Sequence, residues 1–206
     1  RLRNRLEAGL RDTNSDGPGA ALERPIDDVA GVPGRFYAMG RWWGVQAGAS
    51  GSFKRTDVAS ITDELAELYQ PVREEKHLTF NYSHEPALFV LADKDLIAQA
   101  MANLVDNAVK YTPSGGVVRL KANRGLTGEI ELSVTDSGPG IPSTDRERVI
   151  ERFVRLEQSR SEPGSGLGLS LAAAVAEAHA GRLVLSDGGG PRDRPGLCAM
   201  LALPAA

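Results

Sequence analysis

Apolar residues alternate through Ile130, Leu132 and Val134 with polar residues between them, and the row ends at Asp136. That period of two predicts a strand over residues 129–135 with one buried face, and it sets Asp136 on that face, pointing inward. Over residues 93–111 the period changes: Ile97, Met101, Leu104, Val105 and Ala108 recur at helical spacing and mark a face that packs on a sheet. A second stripe, Ile61, Leu65, Leu68 and Val72, predicts a helix over residues 57–76 with Asp57 as its cap. Residues 167–180 are a run of good helix formers, with Gly181 as the stop. Shorter runs predict extended chain at 53–56, strands at 78–83, 87–91, 117–122, 182–186 and 196–203, a short helix near 145–150 and a hairpin loop over 188–195. This order of elements predicts an α/β fold, a two-layer sandwich of a mixed β-sheet covered on one face by helices, with the pocket on the helical side.

The 206 residues, 41% of them hydrophobic, suffice for one such domain, assigned to residues 51–206, plus an appendage over residues 1–50. A net charge of −3 and a pI near 5.7 give no reason to expect a nucleic-acid partner. The single cysteine, Cys198, lies in an apolar strand and reads as a buried structural thiol. Without a disulfide framework, a reducing compartment is expected. No apolar run approaches the ~20 residues that span a bilayer.

Three short blocks carry the chemistry. In Asn103-Leu104-Val105-Asp106-Asn107-Ala108-Val109-Lys110-Tyr111-Thr112-Pro113, the side chains of Asn103, Asn107, Lys110 and Tyr111 fall beside the apolar stripe, along one side of the helix. Two amides, a cation and a ring suit a magnesium-bound triphosphate: amide oxygen is a hard ligand, ammonium offsets phosphate charge, and the ring packs on base or ribose. In Asp136-Ser137-Gly138-Pro139-Gly140, an inward carboxylate needs a donor, which an adenine amino group supplies, and the glycines leave room for a ligand against the backbone. In Gly164-Ser165-Gly166-Leu167-Gly168, glycines before a helix let backbone amides close around an anion. Taken alone, a glycine stretch of this kind before a helix is more often a plain loop.

These blocks, with Arg152-Phe153-Val154-Arg155 between the second and third, resemble the N, G1, F and G2 boxes of the ATP-binding domain of bacterial sensor histidine kinases, over residues 53–204. The resemblance implies Asn107 as the magnesium ligand, Asn103 and Lys110 as phosphate contacts, Tyr111 as a wall of the nucleoside pocket and Asp136 as the partner of the adenine amino group. Gly138, Gly140, Gly164, Gly166 and Gly168 would shape the loops around ATP, with Ile141, Leu167 and Leu169 beside them. Residues 141–165 would form a mobile lid anchored by Phe153. Arg152, Arg155 and Arg160 in that lid are either γ-phosphate partners or solvated charges. Within the wider superfamily, which includes gyrase and the chaperone and mismatch-repair ATPases, the hydrolases carry a water-activating glutamate four residues before the metal asparagine. Here Asn103 stands in that place. An amide cannot take a proton from water, so slow intrinsic hydrolysis is expected.

None of the three histidines, His77, His84 and His179, stands in a phosphoacceptor motif; His84-Glu85-Pro86 lies between two strands and reads as a turn, and His179 near a helix end reads as a partner of the last carbonyls. Arg1-Leu2-Arg3-Asn4-Arg5-Leu6-Glu7 is similar to the residues that follow the acceptor in these kinases, so the chain is expected to start just downstream of it. Residues 1–11 and 22–49 would be the two helices of a truncated dimerisation hairpin, joined by a turn over 12–20. Pro33 costs the second helix ~3 kcal/mol, so it is broken or its dimerisation is impaired. Trp42 and Trp43 are open to an apolar contact or a buried core.

The family resemblance therefore implies a chain that binds Mg-ATP and transfers the γ-phosphoryl group to a histidine upstream of residue 1, for passage to the receiver domain of a response regulator. No residue within the chain is assigned as catalytic. A homodimer through the hairpin is expected in the whole protein, with this domain cytoplasmic and the protein anchored in the inner membrane. The alternative is a non-catalytic nucleotide-binding regulatory module.

Overall fold

The strand predicted from the alternating row sits at the centre of the molecule. In the computed structural model, which describes residues 53–151 and 167–206, β1 (Lys54–Asp57) leads into α1 (Ala59–Leu68), α2 (Gln70–Glu75), β2 (Thr79–His84) and β3 (Phe89–Ala92). Then follow α3 (Lys94–Tyr111), β4 (Val117–Arg124), β5 (Ile130–Asp136), α4 (Gly168–Ala178), β6 (Arg182–Asp187) and β7 (Leu197–Leu203). The expectations for the hairpin and its tryptophans, for Arg152, Phe153, Arg155 and Arg160, and for Gly164 and Gly166 fall outside the described residues.

Five strands form a mixed sheet in the order β2-β4-β5-β7-β6, in which only the β2–β4 pair is parallel. Ile130, Leu132 and Val134 of β5 join Val118, Leu120, Leu201 and Leu203 in one core with Ile97, Met101, Leu104, Val105 and Ala108 of α3, so the helical stripe meets the strand row as predicted. The pattern did not announce a second sheet, in which β1 pairs antiparallel with β3. The reason lies in the turn between β2 and β3. Glu85 N–H makes the last backbone bond to β4, at Ala122 O, and Ala87, the next residue whose N–H would face β4, is left-handed with φ of 57°, so the chain leaves that ladder. His84-Glu85-Pro86 thus opens the expected turn.

Three boundaries differ from expectation. Residues 57–76 form two helices that meet at Tyr69, because Pro71 sits in the first turn of α2 and its ring cannot follow the carbonyl four residues earlier in an unbroken helix. The N-cap of the first is Val58 rather than Asp57, whose carboxylate nonetheless accepts from Ala59 N–H at 3.1 Å. The short lid helix is instead two 3₁₀ turns, Ser143–Asp145 and Arg148–Ile150. At the end of α4 the left-handed residue is Ala180, with φ of 56°, rather than Gly181. Gly181 N–H returns to Ala176 O and Ala180 N–H to Glu177 O, a Schellman closure in which alanine holds the position that favours glycine. Cys198 also departs from the reading: it is half-buried, on the outer face of β7 opposite Thr135, while Ala199 and Leu201 face the core.

Both ends of α3 are tied. Asp93 accepts from Asp95 N–H (2.9 Å) and Leu96 N–H (3.2 Å) and so starts the helix. Its own N–H donates to Nε2 of buried His179, whose Nδ1 donates to Val175 O at 2.7 Å. The imidazole therefore satisfies a helix-end carbonyl, as its position suggested, and also joins the last turn of α4 to the start of α3. Thr112 Oγ1 closes the other end on Ala108 O, just before Pro113.

Candidate functional site

Asp136 continues the inward row of β5 and is only 8% exposed. Its Oδ1 accepts from Gly138 N–H (2.8 Å) and Leu197 N–H (3.3 Å), while Oδ2 has no bonded donor among the described residues. Burial pushes the carboxyl above its ordinary range, and the two backbone donors pull partly against that. The result is a fixed, partly desolvated acceptor with one oxygen committed to the fold and one available.

The turn after it approaches α3 closely. A Cβ on Gly138 would come within 2.8 Å of Tyr111 O and 2.9 Å of Asp136 Oδ1, so only glycine fits between the helix end and the carboxylate. Ser137 Oγ accepts from Val117 N–H at 2.8 Å, anchoring the turn to β4. Gly140 packs against the backbone of Gly196, and Ile141 lines an open cavity of about 330 Å³ with Pro139 and Arg146, whose guanidinium pairs with Asp187.

The third block meets the first at Asn107. A Cβ on Gly168 would stand 3.1 Å from Asn107 Nδ2, so the start of α4 lies directly on the amide expected to hold metal. Leu167 and Leu169 flank Gly168 and are half-buried there. Lys110 Nζ lies 3.1 Å from Tyr111 Oη and 4.6 Å from that ring's centroid, so cation and ring share one space. Asn103 is buried, with one amide N–H donating to Gln99 O at 2.9 Å. The structure thus brings Asn107 to Gly168, and Tyr111 to Gly138 and Asp136, from three separated blocks.

Two side chains near these blocks escaped the sequence reading. Gln99 lies one turn before Asn103, and its buried Nε2 has no acceptor among the described residues. The four-residue repeat of Gln99, Asn103 and Asn107 was the available signal. Asp106, between the two asparagines, accepts from Tyr69 Oη at 2.6 Å, and burial raises its carboxyl to about 6 against that bond's lowering effect. Tyr69 in turn is pushed well above its ordinary range, first by burial and then by Asp106. Among the described residues no group of three His, Cys, Asp or Glu side chains gathers to hold a metal, and no helix is long and apolar enough to cross a membrane.

This arrangement has close counterparts. Residues 92–206 match the model of the histidine kinase-, DNA gyrase B- and HSP90-like ATPase family. The adaptive-response sensory kinase SasA of Synechocystis is 41% identical over 127 residues, covering 61% of this chain and 33% of the relative. The sensor histidine kinase TmoS of Ectopseudomonas mendocina is 33% identical over 143 residues, 68% of this chain and 15% of its own. The chain therefore spans a third or less of the length of these two relatives. Among solved structures, the mycobacterial sensor histidine kinase MprB superposes with a TM-score of 0.64 at 34% identity, over 74% of this chain and 97% of its own. Full-length ShkA in complex with AMPPNP gives 0.66 at 28%, over 84% and 34%. With one inward carboxylate, an amide-bearing helix and a glycine-led helix in contact, the chain belongs to the histidine kinase-, gyrase B- and HSP90-like ATPase family and carries an ATP-binding domain of the sensor histidine kinase type.

Proposed function

We propose that this chain binds Mg-ATP between α3, the turn after β5 and the start of α4, and presents its γ-phosphoryl group to a histidine outside the described residues. What carries the reading is the contact of three blocks far apart in sequence: Tyr111 with Gly138 beside Asp136, and Asn107 with Gly168. Asp136 Oδ2 accepts from the adenine amino group, and the committed Oδ1 prevents the carboxylate from turning away. Asn107 offers amide oxygen to the cation; a single protein ligand suffices because magnesium keeps most of its waters and takes the rest of its shell from phosphate. Lys110 offsets phosphate charge, Tyr111 covers the nucleoside, and the N–H groups at the start of α4 face the phosphates. Bound ATP supplies the phosphoryl group. Asn103 supplies no base, so water is left unactivated and the group is kept for the acceptor.

The same proposal extends to the whole protein. The acceptor hairpin joins two copies, the phosphoryl group passes on to an aspartate of a response-regulator receiver domain, and the kinase is anchored in the inner membrane with this domain in the cytoplasm. The test is transfer of label from γ-labelled ATP to a supplied hairpin carrying the acceptor histidine. Labelling that is lost in Asn107→Ala is the expected result. Tight nucleotide binding with no transfer to any supplied hairpin would leave the regulatory binding module instead.

A further inference from the structure

Asp106 faces neither the apolar stripe nor the amide row. At 3.6 residues per turn it lies about 60° round α3 from Asn103, on the side packed by the α1–α2 junction. There Tyr69 Oη lies 2.6 Å from Asp106 Oδ1 and 3.1 Å from Ala102 O, both on α3. One residue past α2, Lys76 Nζ donates to Val109 O (2.8 Å) and Lys110 O (3.4 Å), carbonyls of the last helical turn that have no partner within the helix. Ser114 Oγ closes the loop on Lys76 O at 3.1 Å. Pro71 lies in the first turn of α2, so Tyr69 closes α1 and Lys76 follows the end of α2.

We propose that Tyr69 and Lys76 are positioning residues of the nucleotide site: together they fix the roll and the C-terminal end of α3, and so aim Asn103, Asn107 and Lys110 at the triphosphate and its metal. The inference rests on the Mg-ATP reading given above. Tyr69 grips the helix within one turn of both asparagines, and Lys76 grips the carbonyl of Lys110 itself. A roll of about 10° moves an amide tip by about 1 Å, an error on the scale that costs a positioned site about a hundredfold. Asp136 is held separately, by Gly138 N–H in the turn after β5 and Leu197 N–H on β7, and Tyr111 is set against that same turn at Gly138, so base recognition depends far less on this grip. The two halves of the ligand therefore respond differently to loss of Tyr69.

Calorimetry on the 206-residue chain with adenosine and with ATP plus Mg2+ separates them, the readout being the ratio of the two affinities. Tyr69→Phe is expected to lower that ratio about tenfold while adenosine affinity stays within about twofold. Asp106→Asn keeps an oxygen that accepts from the phenol and should keep the ratio; Asp106→Leu should lose it. Lys76→Met, which removes the grip on the helix end, should also lower the ratio and serves if Tyr69→Phe does not fold. An unchanged ratio in Tyr69→Phe, or in Lys76→Met where that variant stands in, overturns the inference. So does a parallel fall of both affinities, the mark of a merely structural role, or an Asp106→Asn loss as large as that of Asp106→Leu. If the wild type itself shows no gain for Mg-ATP over adenosine, the proposed function fails and the positioning role with it; a wild-type gain that the variants retain sinks the positioning role alone.

Discussion

Replacing Asp136 by asparagine separates recognition from folding more cleanly than any other single change. The variant keeps Oδ1, so the bonds from Gly138 and Leu197 N–H survive, but the available Oδ2 becomes an NH2 group. A donor then faces the adenine amino donor. Losing a charge-assisted hydrogen bond costs about 1.5–3 kcal/mol, which at about 1.4 kcal/mol per tenfold raises Kd for ATP roughly 10- to 100-fold. Stability should move the other way. The buried carboxyl titrates above its ordinary range, so the fold prefers the neutral form and the neutral isostere is no less stable at pH 7 than the wild type. Calorimetry gives the affinity and urea unfolding the stability. A purine riboside triphosphate without the 6-amino group completes the cycle: the wild type should bind it as weakly as Asp136→Asn binds ATP, and the variant should not discriminate between the two ligands. Unchanged ATP affinity in the variant, or a loss of affinity that tracks a loss of stability at neutral pH, would refute the reasoning.

Asp106, raised from 3.8 to about 6, binds its proton more tightly in the folded state, so its contribution is full below 3.8 and is lost as pH rises through 6. Asp106→Asn should therefore gain about 3 kcal/mol over the wild type at pH 7 relative to its difference below pH 4, read by urea unfolding without nucleotide and with chelator present. Ala180→Gly relieves a left-handed residue at the end of α4 and should stabilise by about 1 kcal/mol, seen as a raised urea midpoint at constant m. His179→Leu strands Asp93 N–H and leaves Val175 O with only the backbone N–H of residue 179, and should cost about 2 kcal/mol in the same assay; a neutral result would show that the bridge between α4 and α3 carries no weight. The wild type should release phosphate from ATP slowly, and Asn103→Glu should raise that rate at least about tenfold, measured by phosphate release; fast release by the wild type would remove the case against a hydrolase.

Periodicity was enough wherever one face of an element is buried. The row Ile130, Leu132, Val134 and Asp136 and the stripe from Ile97 to Ala108 each have a single solution, so strand, helix and the inward carboxylate were readable. The asparagine, carboxylate and glycine blocks were likewise legible as parts of one cluster, and the fold brings Asn107 to Gly168 and Tyr111 to Gly138. What sequence did not carry was geometry decided by tertiary contact. The strands 78–83 and 87–91 read as flanking one turn, yet the left-handed Ala87 takes the chain out of the first ladder and on to another sheet. The stripe from Ile61 to Val72 reads as one helix because apolar spacing survives the break at Tyr69. Tyr69 lies outside the stripe read from the sequence, and its role shows only once Asp106 is placed against it.

The strand that ends in Asp136 has neighbours on both edges, and they in turn are flanked by β2 and β6. Central strands are the last to open in native-state hydrogen exchange. The purine choice proposed for Asp136 is thus mounted on the slowest-exchanging part of the architecture, where no cheap local fluctuation can loosen it. A change of base preference in this lineage therefore demands a new side chain, since breathing of the existing one will not supply it.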